Sequence, residues 1–205
     1  MLIEEAAWIR DQLKKINLRK EQIVFDVGSS SERFRCVDQP YIDNYVFRPL
    51  RRKGIRIIHL DAKKEEGVDV ICDLANPLEQ ASLMNIGLAD LVLCTSFLEH
   101  VINRDVVLER IKKLIKPGGA LILTVPYHYP YHPDPIDTLY RPSDVELEAL
   151  FSEEHFLIGA SKVLEASEAT GRLVLRFYRK FRSFFFGIPL RKQYKVSALL
   201  VQKRD

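Results

Sequence analysis

The stretch Ala89-Asp90-Leu91-Val92-Leu93-Cys94-Thr95-Ser96-Phe97-Leu98-Glu99-His100-Val101 decides the fold. Its first half is apolar at nearly every position, and a strand that is apolar on both faces belongs to a buried parallel sheet. The same texture recurs in Ile23-Val24-Phe25-Asp26-Val27, Ile55-Arg56-Ile57-Ile58-His59-Leu60, Val68-Asp69-Val70-Ile71-Cys72 and residues 120–125. Helical patterns separate these runs. Residues 1–20 place Leu2, Ile3, Ala6, Ile9, Leu13 and Ile16 at three- and four-residue spacing, which predicts an amphipathic helix. Asn76-Pro77 opens a helical segment closed by Gly87. Asn103 is placed to cap another, with Val106, Val107, Ile111, Leu114 and Ile115 on its stripe and Pro117-Gly118-Gly119 as its stop. Alternating strands and helices with right-handed crossovers predict one α/β domain over residues 1–205: doubly wound, Rossmann-like, mostly parallel, with helices on both faces. Its binding crevice is expected at the carboxyl ends of the strands.

With 47% hydrophobic and 29% charged residues, the 205-residue chain can bury one sizeable core. No run of about 18 apolar residues predicts a membrane span. The acids and bases of the first turns do not suit a secretory signal. Cys36, Cys72 and Cys94 are odd in number and widely spaced, which predicts free thiols in a reducing cytoplasm. The net charge of +3 conceals a split: residues 172–205 carry +9 and residues 1–171 carry −6. Such asymmetry suits an anionic partner at the basic end.

Three acids stand at successive strand ends. Asp26 precedes Val27-Gly28-Ser29-Ser30-Ser31, a small-residue turn that lets backbone approach a ligand. Asp61 ends the second run, where a carboxylate can take both hydroxyls of a ribose. Cys72-Asp73-Leu74 can meet a flat base with one acceptor and one backbone N–H.

Taken in order, Asp26-Val27-Gly28, Leu60-Asp61, Cys72-Asp73-Leu74, the 89–101 stretch and Leu114-Ile115-Lys116-Pro117-Gly118-Gly119 with the run after it resemble the class I S-adenosylmethionine-dependent methyltransferases, of the type 11 kind, over residues 22–126. The resemblance implies a seven-stranded sheet whose last hairpin is reversed, with residues 156–164 and 195–201 as its final strands. It implies S-adenosylmethionine as cofactor. Asp26, Gly28 and Ser29 would cradle its methionine portion, Asp61 its ribose, and Asp73 and Leu74 its adenine, while Thr95, Ser96 and Phe97 would lie near the sulfonium. Two departures stand out: serines replace the usual glycines after Gly28, and the interval from Asp26 to Asp61 is long, as an insertion at residues 33–45 would make it.

Methyl transfer needs alignment above all, and a base only where the acceptor loses a proton. His100 is one candidate base, or else a histidine packed at a helix start beside Glu99. After the fifth strand, the proline-rich segment from Pro126 to Pro142 predicts a stiff loop at the functional edge, with His128 and His132 as candidate catalytic groups. His128, His132, Asp134 and Asp137 match no established metal spacing, and no metal is expected. The implied activity is methyl transfer to an O or N atom of a small molecule or saccharide. The alternative is a methyltransferase-like binding or assembly module without turnover, favoured by the serine-substituted loop.

The basic tail holds an aromatic, amphipathic insertion at about 172–194. Projection of residues 173–186 gathers Leu173, Val174, Phe177, Tyr178, Phe181, Phe184 and Phe185 on one arc. This face can cover the sheet, pair subunits, or lie peripherally on the inner membrane face. Nucleic acid is not an expected partner, because the rest of the domain is acidic. The oligomeric state is not written in the chain.

Overall fold

The computed structural model describes residues 1–76, 79, 83, 86–152, 155–167 and 194–205. Helix α1 (Ile3–Ile16) leads into β1 (Ile23–Val27). A helical segment follows, with π-type turns at Phe34–Asp38 and Asp43–Phe47 and α-type turns α2 (Pro40–Ile42) and α3 (Arg48–Arg52). Then come β2 (Arg56–Asp61), β3 (Val70–Ile71), β4 (Ala89–Thr95), a 3-10 turn at Leu98–His100 and α4 (Arg104–Leu114). The chain ends with β5 (Ile115–His128), α5 (Asp144–Ala149), β6 (Phe156–Glu165) and β7 (Lys195–Lys203).

The seven strands form one sheet in the order β3-β2-β1-β4-β5-β7-β6. Strands β1 to β5 pair in parallel, whereas β7 runs antiparallel to both β5 and β6. The doubly wound sheet and its reversed final hairpin are therefore as expected. Alternation along each strand divides the core between the two faces. Val24, Leu91, Leu93, Ala120 and Ile122 pack with Ala6, Ile9 and Leu13 of α1 and with Ile42, Val46, Phe47 and Leu50. Phe25, Val27, Val92, Cys94, Leu121 and Leu123 pack with Val107, Leu108, Ile111 and Leu114 of α4 and with Leu147 and Phe151. Full burial of one such side chain stabilises by roughly 1.5–3 kcal/mol, so the two layers fix which strand faces which helix.

The long interval from Asp26 to Asp61 is filled by the helical segment, whose π-type turns absorb extra residues. Strand β3 is shorter than the 68–72 run, and β5 extends both ways past 120–125, taking in Pro117-Gly118-Gly119. Asn103 does occupy the N-cap position of α4, but its side chain makes no capping bond. Val106 is exposed, and Leu108 takes its place on the buried stripe. The helix expected at 77–87 falls largely on residues outside those described, and the amphipathic stretch 173–186 lies wholly outside them. Among the described residues, no helix is long and apolar enough to cross a membrane.

Candidate active site

The carboxyl ends of β1, β2 and β4, with the turn after β3, open onto one cleft of about 690 Å³. Asp26, Gly28, Ser29, Asp61, Asp73, Leu74, Thr95, Ser96 and Phe97 all line it, and His100 and His132 border its other side. His128 does not line it. That residue is the exposed last residue of β5, opposite Lys195; Pro126, two positions earlier, lines the cleft, and the register shift between the two breaks the alternation that would put them on one face.

The turn after β1 is held from three directions. The backbone N–H groups of Gly28 and Ser29 donate to the Leu60 carbonyl at 2.9 and 3.0 Å, extending the β1–β2 ladder past its last register pair. Asp61 accepts from the Ser30 N–H at 2.8 Å through one oxygen and from the Lys63 N–H at 2.9 Å through the other. The buried Arg35 guanidinium donates to the carbonyls of Ser29 at 2.8 Å, Ser30 at 2.7 Å and Gly67 at 2.7 Å. Gly28 has φ +70°, and a Cβ there would lie 2.5 Å from the Phe97 ring, so this position requires glycine. Ser30 also has a left-handed φ of 55°, a conformation that costs a non-glycine residue roughly 1–2 kcal/mol. Arg35 and Asp61 hold the serine-bearing loop in the path that glycines would otherwise take.

Asp26 is buried and bonded to His59 Nδ1 at 2.8 Å through one carboxylate oxygen. The two residues are register partners on adjacent parallel strands, which brings their side chains together on one face. Asp73 accepts from the Ala75 N–H at 2.8 Å, an Asx-type turn that fixes its carboxylate. Helix α1 closes the cleft from the front. Its fully buried Glu5 accepts from Thr124 Oγ1 at 2.6 Å and from the Leu2 N–H at 2.9 Å, with Ser96 Oγ 3.5 Å away. Asp90, although part of the 89–101 stretch, lies at the opposite end of the sheet, where it accepts from the Ile23 N–H and pairs with Lys116.

The other wall is built by the 3-10 turn and the loop after β5. Thr138 donates to the Glu99 carbonyl through its N–H at 2.8 Å and its hydroxyl at 2.9 Å, tying the two segments together. His100 Nδ1 bonds the Ile136 carbonyl, and His132 Nδ1 lies 3.0 Å from the Pro130 carbonyl and 3.2 Å from Asp137. Partners that only accept assign both Nδ1 atoms as protonated, so in the neutral form of each imidazole the lone pair is on Nε2. Burial pushes the Asp137 carboxyl up, but hydrogen bonds from Arg141 and from the His132 and Leu139 N–H groups outweigh it and hold it at about 2. Lys63 and Asp134 pair across the cleft rim. All three cysteines are free; burial pushes Cys72 up to about 11 and Cys94 well above its usual range, so neither is a ready nucleophile.

Four residues shape the site through contacts that local sequence showed little of, only Glu99 being visible as the neighbour of His100. Glu5 acts through Thr124, Arg35 through Ser29, Ser30 and Gly67, and His59 through Asp26, while Glu99 meets His132 as well as the adjacent His100. The length of the Asp26–Asp61 interval pointed to inserted structure, but not to a buried arginine within it.

The family of methyltransferase domains matches residues 43–123. A search of the curated proteins found no match. Among solved structures, coclaurine N-methyltransferase bound to N-methylheliamine and SAH is 16% identical, with a TM-score of 0.61 over 97% of this chain and 70% of that one. The Burkholderia thailandensis 1,6-didemethyltoxoflavin-N1-methyltransferase, bound to 1,6-didemethyltoxoflavin and S-adenosylhomocysteine, is also 16% identical, with a TM-score of 0.57 over 98% and 77%. The [4+2]-cyclase SpnF shares the fold at 16% identity, with a TM-score of 0.54 over 97% and 80%. The chain therefore carries the fold of the class I S-adenosylmethionine-dependent methyltransferases, and its central region matches the methyltransferase-domain family.

Proposed function

We propose that this chain binds S-adenosylmethionine and transfers its methyl group to an O or N atom of a small molecule or saccharide. The observation that carries the reading is the convergence of Asp26, Gly28, Asp61 and Asp73 from successive strand ends on one wall of a single cleft, with two imidazoles on the other. A cleft of about 690 Å³ is in the range that encloses a drug-sized ligand, so one cofactor with a small acceptor suits it.

Each Asp61 oxygen accepts one backbone N–H and keeps lone-pair capacity for a ribose hydroxyl. The Asp73 carboxylate and Leu74 backbone meet the adenine edge, and the turn at Gly28 and Ser29 receives the methionine portion. Ser96 and Phe97 then flank the sulfonium. The transfer is an in-line displacement in which acceptor lone pair, methyl carbon and sulfur align, and holding that geometry supplies most of the acceleration. His100 and His132 form the acceptor wall, where an acceptor hydroxyl or ammonium sheds its proton. A cytoplasmic enzyme is the simplest setting for three free thiols.

SpnF, a cyclase on this fold, favours keeping a second reading: a module that holds the cofactor-type cleft without methyl transfer. Isothermal titration with S-adenosylhomocysteine separates the two from a cofactor-free scaffold. One-site binding is expected. No heat at millimolar ligand with folded protein would remove the enzyme reading.

A further inference from the structure

Glu99 is 0% exposed, and neither of its carboxylate oxygens has a hydrogen-bond partner among the described residues. A buried carboxylate in this state is costly unless a cation compensates it. Arg104 and Arg141, on the segments that flank Glu99 and His132, are committed elsewhere: Arg104 to the Val101 carbonyl and Thr138, Arg141 to Asp137. Instead, His100 Nε2 and His132 Nε2 each stand 3.7 Å from the same oxygen, Glu99 Oε1. One ligand atom from each of the three residues can be chosen so that all lie within 4.8 Å of one another.

We infer that Glu99, His100 and His132 form a binding site for a divalent transition-metal ion of the Zn²⁺ type at the acceptor end of the cleft. Three features support it. First, bonds of about 2.0–2.1 Å in tetrahedral geometry place ligand atoms roughly 3.3–3.4 Å apart, so the 3.7 Å separations need only a small inward adjustment. Second, both imidazoles are oriented as metal ligands are, each donating its other N–H outward: His100 to the Ile136 carbonyl, and His132 toward the Pro130 carbonyl and Asp137. Third, the frame is preset, because Thr138 bonds the Glu99 carbonyl twice and Asp137 fixes the His132 backbone at 2.9 Å. Two nitrogens and one carboxylate leave coordination positions open, and the two histidines border the cleft.

Resting on the methyl-transfer reading, the consequence is a choice of acceptor. A cation on both Nε2 atoms prevents either imidazole from serving as a base. The ion would take an acceptor hydroxyl as a further ligand and lower that hydroxyl's pKa, so that its proton passes to solvent water rather than to either histidine. This favours oxygen acceptors, above all vicinal hydroxyls or a hydroxyl beside a carbonyl.

The test is a Co²⁺ titration of chelator-treated protein, followed by visible d–d absorption, with Zn²⁺ as competitor. One Co²⁺ per chain, displaced by Zn²⁺, is expected. Glu99→Gln and His132→Ala should each weaken binding by at least about tenfold to 100-fold, and His155→Ala, which removes an exposed imidazole elsewhere, should not. His132 lies on a loop, so its variant retains the fold even if Glu99→Gln does not. Absence of a Co²⁺ signal in the wild-type protein, or a signal surviving both site variants, would overturn the proposal. A parallel titration with S-adenosylhomocysteine reads the other wall and keeps that failure distinct from failure of the cofactor reading.

Discussion

The two walls of the cleft are built by different means. On the cofactor wall, the functional groups stand at or just past the ends of β1 to β4, so the sheet sets their spacing, with Arg35 and Asp61 pinning the turn after β1. On the acceptor wall, Glu99, His100 and His132 come from a short turn and a proline-rich loop, and they meet only because Thr138 and Asp137 stitch those segments together. The first wall is a product of topology, while the second depends on tertiary contacts between irregular segments. Changes to the first should therefore harm folding and cofactor affinity together. Changes to the second should spare both.

Gly28→Val offers the largest way to break this contrast. A side chain there meets Phe97 at 2.5 Å from a left-handed backbone. Left-handed strain of about 1–2 kcal/mol and overpacking of about 1–3 kcal/mol should together lower stability by roughly 2–5 kcal/mol and abolish S-adenosylhomocysteine binding. Thermal unfolding and calorimetry on the same sample check both. Next is Arg35→Ala, which removes bonds to three carbonyls. A loss of about 2–4 kcal/mol is expected in the denaturant midpoint at constant slope, because buried acceptors are left unpaired.

Asp61→Ala should weaken S-adenosylhomocysteine by about tenfold to 100-fold, the cost of losing charge-assisted bonds of about 1.5–3 kcal/mol. His132→Ala should leave that affinity unchanged, and comparable losses in the two variants would dissolve the distinction between the walls. The smallest effect has the opposite sign. Ser30→Gly should raise stability by up to about 1 kcal/mol, since it relieves a left-handed serine without touching its N–H bond to Asp61. A rise in melting temperature would confirm that the serine loop is strained in place.

The contrast also explains what could be read from the chain alone. The all-apolar runs and the strand-end acids are local patterns, the final hairpin followed from the family resemblance, and the sheet reproduced them with small shifts: β3 shorter, β5 longer, Val106 replaced by Leu108 on the α4 stripe. His128 was read as part of a loop, whereas β5 runs to that residue and a register shift after Pro126 separates it from the cleft-lining face. The cluster at Glu99 was not legible, since its ligands are separated by 32 residues and match no regular spacing; only Glu99-His100 was visible as a pair. Arg35 and Glu5 were hidden for the same reason, because each acts through a fold contact and not through a motif.

The central claim is that the strand-end wall holds S-adenosylmethionine with its sulfur directed at the histidine wall. A crystal structure of the S-adenosylhomocysteine complex tests it most directly. The account predicts adenine against Asp73 and Leu74, ribose hydroxyls on Asp61, and sulfur between Phe97 and the His100–His132 pair. Ligand bound outside this cleft, or with its adenine at the histidine wall, would contradict it.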